Sequence, residues 1–415
     1  MLEYGGDCVT AIIPYAFRQL TMRMTWNNIR RIGPGKDIEA GMENQIRTGN
    51  RAMVLRPAAV VMCMWSLQLA AQVTSTTYAD LDARKMVDAS YATRSFMGAA
   101  AGFAIDGEFV WQYAVGLSDA SDSTLFQSNT RTRIASIAKP MTAIATMQLV
   151  ERGVLDLDVP VQIYLPEFAV KKEGVVTTRQ LLQHTAGIGE YATAKERENQ
   201  VHYTTLLDAI DIFKDRDLIS VPGVEFNYST YGYVLLGAII EKVSGQTFTA
   251  YMQSHIWDVA GLQDTGVENG REGHAALYHS NDKGKISGSK FTDLSDRIPG
   301  GGFYSTLTDL LKFGNAVLDG SLISAESLAV MLKDPGIKTD GNGYGLGWYL
   351  FGENPKYGNV FGHNGSQTGA STFLMLLPEQ HTVVAVVSNT SNALPAVSAL
   401  TVALFDPAAI TKAQR

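Results

Sequence analysis

Apolar residues recur at helical spacing in several stretches of the chain. The longest stretch covers residues 136–152, and Gly153 follows it as a stop signal. This pattern predicts an amphipathic helix. Its apolar positions are Ile137, Met141, Ile144, Met147 and Leu149. Shorter helices are predicted at residues 78–93, 178–184, 231–243, 306–318, 325–332 and 395–404.

Strand-like runs lie near both ends of the chain. Two apolar runs within residues 98–116 flank Asp106 and Gly107, a turn pair typical of a β-hairpin. Further strands are predicted at residues 344–351, 370–377 and 382–388. Because helices lie between these strands, the pattern favours an α/β fold of the α+β type, with one mixed sheet closed by both ends of the chain. We expect the sheet part at about 78–150 and 300–410, and a mostly helical insertion at about 151–299.

Composition narrows the class of protein. The 415 residues are 46% hydrophobic and 18% charged, which excludes a disordered chain, collagen and a coiled coil. A net charge of -7 and a pI near 5.6 argue against a nucleic-acid partner, which requires a basic face. Cys8 and Cys63 both precede residue 72, so the remainder can form no internal disulfide and no cysteine-ligated metal site.

The first 71 residues differ from the rest in charge. The uncharged run at residues 58–71 follows Arg47, Arg51 and Arg56, which is the layout of a secretory signal peptide. We assign residues 53–71 to this peptide and interpret residues 1–52 as a misassigned start or a disordered extension. An uncleaved membrane anchor is the alternative. A mitochondrial transit peptide fits less well, because residues 1–52 contain five acidic residues and no serine. The mature chain, residues 72–415, is therefore expected in the periplasm or outside the cell, without a stable membrane span.

The motifs restrict the chemistry. The chain contains no GxSxG, GxxxxGK[ST], GxGxxG or HExxH. Ser-x-x-Lys occurs three times, beginning at Ser136, Ser280 and Ser287, and the last two occurrences lie in a polar segment typical of a surface loop. No metal is expected, because the histidines and acidic residues follow no recognised ligand spacing. The residues considered for a metal are His274, His279, Asp293 and Asp296.

Only Ser136 opens a predicted helix. Residues three positions apart share a helix face, so the Lys139 amine can reach the Ser136 hydroxyl. Unsatisfied N–H groups at the helix start would also favour negative charge beside a nucleophile. The alternative for Ser136 is an ordinary helix N-cap.

Two later motifs extend the Ser136–Lys139 pair. Tyr228 stands just before a predicted helix, and residues 363–365 lead into a strand. In this order the motifs resemble those of the serine β-lactamase and penicillin-binding-protein superfamily, above all its branch of class C β-lactamases, D-alanyl-D-alanine carboxypeptidases and esterases. The resemblance spans about residues 80–405 and is closest to mitochondrial serine β-lactamase-like proteins and their bacterial relatives. Supporting segments are SIAKPMTAIATMQLVERGVLDLD, TTRQLLQHTAGI, GGGFYSTLTDLLKFGNA and YGLGW.

The resemblance implies a β-lactamase/transpeptidase-like fold with a mostly antiparallel sheet, a helical subdomain, and a serine hydrolase without metal or organic cofactor. Ser136 would be the nucleophile that forms an acyl-enzyme, and a neutral Lys139 would be its general base. Tyr228 would share in proton transfer and protonate the leaving group. The oxyanion hole would combine the backbone N–H groups of Ser136 and Ser366.

The resemblance also implies a substrate-binding set. Thr230, His363, Asn364 and Gly365 would bind a small peptide, ester or β-lactam, and Gly365 would let the substrate backbone approach the strand closely. Thr230 stands where many family members have Asn, and His363 where β-lactamases have Lys. A mostly neutral imidazole binds a carboxylate less strongly than an ammonium does, so efficient penicillin hydrolysis is in doubt. The alternative for His363 is a Ser/His/Asp triad.

The expected function is hydrolysis of peptide amide or related ester and amide bonds. Within the enzyme class the alternatives are a β-lactamase, a D-alanyl-D-alanine carboxypeptidase and a short-chain esterase. Outside it the alternative is a penicillin-binding sensor or a self-assembling scaffold, and no sequence feature determines the oligomeric state. We interpret His184 as structural, and Arg131, Arg133 and Glu225 as surface charges.

Overall fold

An eight-stranded antiparallel sheet organises the part of the chain that the computed structural model describes, residues 82–268, 273–281, 283–337, 339 and 341–408. The predicted signal peptide and the segment before it lie outside these residues. Within the described ranges, no helix has the length and apolar character needed to cross a membrane.

The strands of the described residues lie in three stretches of the chain, with helices between these stretches. They are β1 (Gly98–Ile105), β2 (Glu108–Asp119), β3 (Thr124–Leu125), β4 (Thr132–Arg133), β5 (Gly266–Val267), β6 (Tyr278–Ser280), β7 (Ile286–Gly288), β8 (Phe303–Ser305), β9 (Gly343–Tyr344), β10 (Tyr349–Asn354), β11 (Gly358–Gln367), β12 (Ala370–Leu377), β13 (Thr382–Ser388) and β14 (Thr390–Ser391).

Helices cover the sheet and fill the middle of the chain. They are α1 (82–92), α2 (Ala138–Glu151), α3 (Thr178–Leu182), α4 (Ala194–Arg197), α5 (Leu206–Ile210), α6 (Thr230–Ser244), α7 (Phe248–Met252), α8 (Ile298–Gly301), α9 (Leu307–Leu318), α10 (Ala325–Met331) and α11 (Leu394–Ala403).

The large sheet joins the two ends of the described chain. Its order is β3-β2-β1-β13-β12-β11-β10-β9, and every neighbouring pair is antiparallel. β1 pairs with β13 through partners such as Gly102 and Ala385, so strands from opposite ends meet at the centre. The predicted hairpin and the closure by both chain ends are therefore confirmed, although the sheet is wholly antiparallel rather than mixed.

Both faces of the sheet centre are covered. Every residue of β1, β12 and β13 is buried, as expected for strands with helices on each side. Helix α9 approaches so closely that a Cβ on Gly314 would lie 2.4 Å from Cγ1 of Val383. Helix α11 packs against β12 and β13.

The middle of the chain carries small sheets besides its helices. β6 pairs with β7 and with β14, and β8 pairs with β4 and β5. The second and third Ser-x-x-Lys motifs begin on the β6–β7 hairpin, at Ser280 and Ser287. The prediction of a surface loop for this segment is therefore only partly right, because two short strands frame the loop.

Helix α2 differs from its prediction in two ways. It begins at Ala138 because a 3₁₀ turn, Ala135–Ile137, precedes it. It is also not amphipathic, since every residue from Ala138 to Leu149 is buried. Helices α6 and α8 pack against it, so the helix runs through the core.

The prediction of residues 344–351 as one strand is wrong. A turn at Gly347, with φ 85°, separates β9 from β10. A side chain there would also collide with Ala143 of α2, because a Cβ on Gly347 would lie 2.4 Å from the Ala143 Cβ. The turn therefore brings β9 and β10 against the helix that follows Ser136.

Candidate active site

Ser136 lies in the tight turn before α2. The preceding residue, Ala135, has φ 50°, which is uncommon for a residue with a side chain. The start of α2 has no side-chain cap, so the structure gives Ser136 no capping role. Its side chain is partly exposed and lines a cavity of about 490 Å³. The turn thus presents the hydroxyl to the space in which a substrate would lie.

Lys139 lies fully buried behind Ser136. Its Nζ is 3.1 Å from the Ser136 Oγ, 3.3 Å from the Thr230 Oγ1 and 2.8 Å from the carbonyl oxygen of Gly300. Burial lowers the pKa of Lys139 to about 7, partly opposed by the charge of Glu190. A substantial share of the amine is therefore neutral near neutral pH, as a general base requires.

Tyr228 contacts the same pair from the residues that precede α6. Its hydroxyl hydrogen-bonds to Ser136, and its ring centroid is 4.7 Å from the Lys139 Nζ. Burial is the main cause that raises the pKa of Tyr228 well above its usual value. The phenol therefore stays protonated at neutral pH, so it can donate a proton but does not compete with Lys139 as a base.

His184 supports Tyr228 from behind. The two ring centroids are 4.2 Å apart, and the backbone N–H of Ser229 donates to the His184 Nδ1 at 3.0 Å. Burial, with Lys139 and His363 nearby, lowers the pKa of His184 well below 6.5. His184 is therefore a neutral ring that packs against Tyr228, and this placement accords with its interpretation as structural.

Sequence reasoning missed Glu190. Its Oε2 accepts a 2.6 Å hydrogen bond from the backbone N–H of Thr230, the first residue of α6. Burial raises the pKa of Glu190, whereas the nearby Lys139 ammonium lowers it. Glu190 also lines the cavity. No catalytic motif includes this position, and its only sequence signal is its place just after the shared segment TTRQLLQHTAGI.

His363 does not lie on the cavity wall. The side chain is fully buried, with Nε2 3.1 Å from the Tyr344 hydroxyl and Nδ1 2.6 Å from the backbone oxygen of Asn364. Burial lowers the pKa of His363 to about 3, with a further contribution from Lys139. The prediction that His363 contacts a substrate carboxylate is therefore not supported, because a neutral, enclosed ring faces Tyr344 instead.

The rest of the third motif lies on β11. Gly365 is needed because a Cβ there would lie 2.4 Å from the Ile134 carbonyl oxygen and 2.4 Å from the Thr372 Oγ1. The glycine thus permits close approach of the Ile134 backbone. The approach of a substrate backbone to Gly365 stays a prediction. Asn364 is half-buried and does not line the cavity, whereas Ser366 is exposed and lines it together with Ser136.

Strand β11 lies inside the large sheet, between β12 and β10. β11 pairs with β10 through residues 358–362 and with β12 through residues 361–367. The β10 ladder therefore stops before the motif, and residues 363–367 have a strand partner on one side only. The edge is local and lies beside the Ser136 turn, which packs against β11.

The cavity wall combines the catalytic candidates with charged groups. Thr230, Ser366 and Tyr228 lie on it with Ser136. Its charged residues are Glu190, Arg197, Glu198 and Arg297. Arg297 is buried and pairs with Asp296, with Nε 2.6 Å from Oδ1, so a partner already balances its charge.

The interpretation of Arg133 as a surface charge is wrong. The side chain is 2% exposed, and its Nε lies 2.5 Å from Oε2 of Glu268. Arg131 is half-exposed and pairs with Asp264, and Glu225 is exposed, as expected.

Comparison with known proteins identifies relatives along most of the chain. The Beta-lactamase family model matches residues 83–407. The human serine beta-lactamase-like protein LACTB, mitochondrial, is 30% identical over 377 residues, covering 68% of this chain and 69% of that protein. Esterase EstB of Burkholderia gladioli is 28% identical over 312 residues, covering 65% and 78%. The octameric penicillin-binding protein homologue from Pyrococcus abyssi superposes with a TM-score of 0.70 at 27% identity, covering 78% and 76%.

The fold, the paired serine and lysine, and these relatives define a serine hydrolase. The chain belongs to the β-lactamase family. The predicted family, fold class and hydrolase class are thereby confirmed.

Proposed function

We propose that this protein hydrolyses small amide and ester substrates through an acyl-enzyme on Ser136. The 3.1 Å contact between the Lys139 Nζ and the Ser136 Oγ carries the proposal. A buried amine whose pKa is lowered to about 7 is a competent base at neutral pH, and it lies within reach of the only proton it must remove.

The first step forms the acyl-enzyme. Neutral Lys139 accepts the hydroxyl proton of Ser136 while Oγ attacks the substrate carbonyl carbon. The carbonyl oxygen becomes an oxyanion, which the backbone N–H groups of Ser136 and Ser366 stabilise. When the tetrahedral intermediate collapses, the bond to the leaving group breaks, and protonated Tyr228 supplies the proton that this group needs. Lys139 returns a proton to Tyr228.

The second step regenerates the serine. Water attacks the Ser136 ester, its proton passes to the same basic network, and the acid product leaves with Ser136 protonated again. The leaving group of the first step can be an amine or an alcohol. The names of the relatives, which include an esterase and a penicillin-binding protein homologue, support this breadth.

The cavity supports small substrates rather than efficient penicillin hydrolysis. The neutral, enclosed His363 offers no cation to a substrate carboxylate. We therefore propose an order of turnover in which p-nitrophenyl acetate, which has no carboxylate, exceeds both nitrocefin and D-alanyl-D-alanine peptides, which each carry one.

Labelling of Ser136 tests the proposal. Residues 72–415 are exposed to a fluorophosphonate and to a fluorescent penicillin, and intact mass is followed over time. We expect one fluorophosphonate adduct, mapped to Ser136, and its loss in Ser136→Ala. The matched control is Ser287→Ala, which removes the exposed serine of another Ser-x-x-Lys sequence. A Ser136→Ala protein that labels and turns over p-nitrophenyl acetate like the parent would refute the proposal.

We further propose that the protein is exported after cleavage near Ala71. The uncharged run at residues 58–71 and the arginines before it support this. The N-terminal mass of the secreted protein tests it, and retention of residues 53–71 in a membrane fraction would instead establish the anchor.

A further inference from the structure

Three successive contacts connect Glu190 to the nucleophile, through the Thr230 hydroxyl and the Lys139 amine. Glu190 accepts from the Thr230 backbone N–H at 2.6 Å and also contacts the Thr230 hydroxyl. That hydroxyl lies 3.3 Å from the Lys139 Nζ, which lies 3.1 Å from the Ser136 Oγ. The proposed function uses the last contact and leaves Glu190 without a role.

The hydrogens of a neutral amine determine where its lone pair points. Neutral Lys139 has two hydrogens and one lone pair but three polar neighbours. The Gly300 carbonyl can only accept, so it takes one hydrogen at 2.8 Å. If the Thr230 hydroxyl donates to Glu190, its oxygen is free to accept the second hydrogen. The lone pair then remains for Ser136.

We propose that Glu190 is a positioning residue that fixes the direction of the Thr230 hydroxyl and thereby reserves the Lys139 lone pair for Ser136. This inference rests on the proposed function, because it assigns no bond making or breaking to Glu190. A tyrosine hydroxyl, that of Tyr191, also neighbours Thr230. The carboxylate is the stronger acceptor, since hydrogen bonds to charged groups are roughly twice as strong as neutral ones.

The Thr230 hydroxyl can link Lys139 to Glu190 in a way that an asparagine amide cannot. A hydroxyl can accept from Lys139 and donate to Glu190 through one oxygen, so it transmits the orientation of one partner to the other. An asparagine amide separates its acceptor and donor onto two atoms. Thr230, which stands where many family members have Asn, is therefore the residue that couples Glu190 to Lys139.

Charge adds a second effect of Glu190 on the same amine. The Glu190 carboxylate raises the pKa of Lys139 and so opposes the effect of burial, whereas the Arg297 cation lowers this pKa further. The other titratable groups that face Lys139 come from the residues just after α3, from α6 and the residues before it, and from β11. They are His184, Tyr228, Tyr233 and His363. Among these groups facing Lys139, Glu190 is the carboxylate. Removing its negative charge should therefore lower the pKa of Lys139.

The test follows the rate of fluorophosphonate labelling of Ser136 against pH. In the parent the rate should rise with a midpoint near the Lys139 pKa, which is about 7. Glu190→Gln removes the charge, so we expect the midpoint to move about one pH unit lower. We also expect the plateau rate to fall at least tenfold. Glu190→Asp keeps the charge and should leave the midpoint nearer to that of the parent.

Thr230 provides an independent arm if Glu190→Gln does not fold. Thr230→Val removes the hydroxyl and should lower the plateau rate at least tenfold, whereas Thr230→Ser should restore it. In the double variant Glu190→Gln/Thr230→Val, the two plateau losses should not multiply, because they break one chain of hydrogen bonds. The charge-matched control is Glu225→Gln, an exposed carboxylate near Tyr228 in sequence.

The outcomes separate this inference from the proposed function. If Ser136→Ala abolishes labelling and the folded Glu190→Gln protein keeps the parental plateau rate, the inference is wrong and the nucleophile stands. Multiplicative plateau losses in the double variant would also overturn it. Labelling that persists in Ser136→Ala would overturn both.

Discussion

At the scale of single residues, burial decides which group is the base. Lys139 and His363 are both fully enclosed, and burial lowers the pKa of each. The His363 ring is therefore neutral at neutral pH, and its Nε2 contacts the Tyr344 hydroxyl. Lys139 lies beside the serine with a pKa of about 7. A solvent-exposed lysine would keep its higher pKa and stay charged at neutral pH.

The burial of Lys139 should appear as a pH-dependent stability. Its pKa falls from 10.5 to about 7 on folding, so between these values the unfolded chain binds more protons than the folded one. Folded-state stability therefore rises with pH in this window, and the contribution is lost as pH falls through 7. Relative to Lys139→Met, the parent should gain up to about 1.4 kcal/mol per pH unit between pH 7 and 9.

Urea unfolding of both proteins at pH 7, 8 and 9 measures this difference. The control is Lys242→Met, which removes an exposed lysine paired with Glu167 and should give curves parallel to the parent. Parallel curves for Lys139→Met as well would mean that Lys139 has its ordinary proton affinity in the fold.

At the scale of elements, the site depends on one close contact between a turn and a strand. The 3₁₀ turn Ala135–Ile137 lies against β11 where the β10 ladder has ended. Gly365 makes this approach possible, and the Thr372 hydroxyl of β12 donates to the Ile134 carbonyl at 3.0 Å. Close packing against β11 and a hydrogen bond from β12 thus hold the turn that carries Ser136 against the sheet.

Gly365→Ala should disrupt the packing of the Ser136 turn against β11. Its Cβ would stand 2.4 Å from the Ile134 carbonyl oxygen, which is backbone and cannot rotate away. We expect a loss of about 1–3 kcal/mol in stability and a larger relative loss of Ser136 labelling, because the turn must move. Thermal unfolding and the labelling rate measure the two effects. The control is Gly288→Ala on β7, where a Cβ meets nothing within 4 Å; equal behaviour of the two variants would contradict the argument.

Local signals in the sequence predicted the elements that depend on neighbouring residues. The Asp106–Gly107 hairpin and the three-residue spacing of Ser136 and Lys139 are of this kind. Helix α2 was predicted as amphipathic because apolar spacing reports what a helix can bury and not what surrounds it. Glu190 could not be identified, since its contact with Thr230 joins residues 40 positions apart.

At the scale of the whole molecule, Arg133 joins distant parts of the chain. Its guanidinium pairs with Glu268 and donates to the backbone oxygens of Thr292 at 2.7 Å and Thr368 at 3.2 Å. Thr292 and Thr368 line the cavity. One buried cation therefore connects the strand before Ser136 to three later segments, two of which form the cavity wall.

Breaking this pair should destabilise the whole fold. Arg133→Met leaves the Glu268 carboxylate buried without its cation, which should cost about 3–5 kcal/mol, whereas Arg133→Met/Glu268→Met should recover much of the loss. The matched control is Arg131→Met, two residues away, whose pair with Asp264 is more than one-third exposed and should contribute less than about 1 kcal/mol. Urea unfolding of the four proteins measures these differences. If the double variant is as unstable as Arg133→Met, the bonds to Thr292 and Thr368 rather than the unpaired charge hold the cavity wall to the sheet.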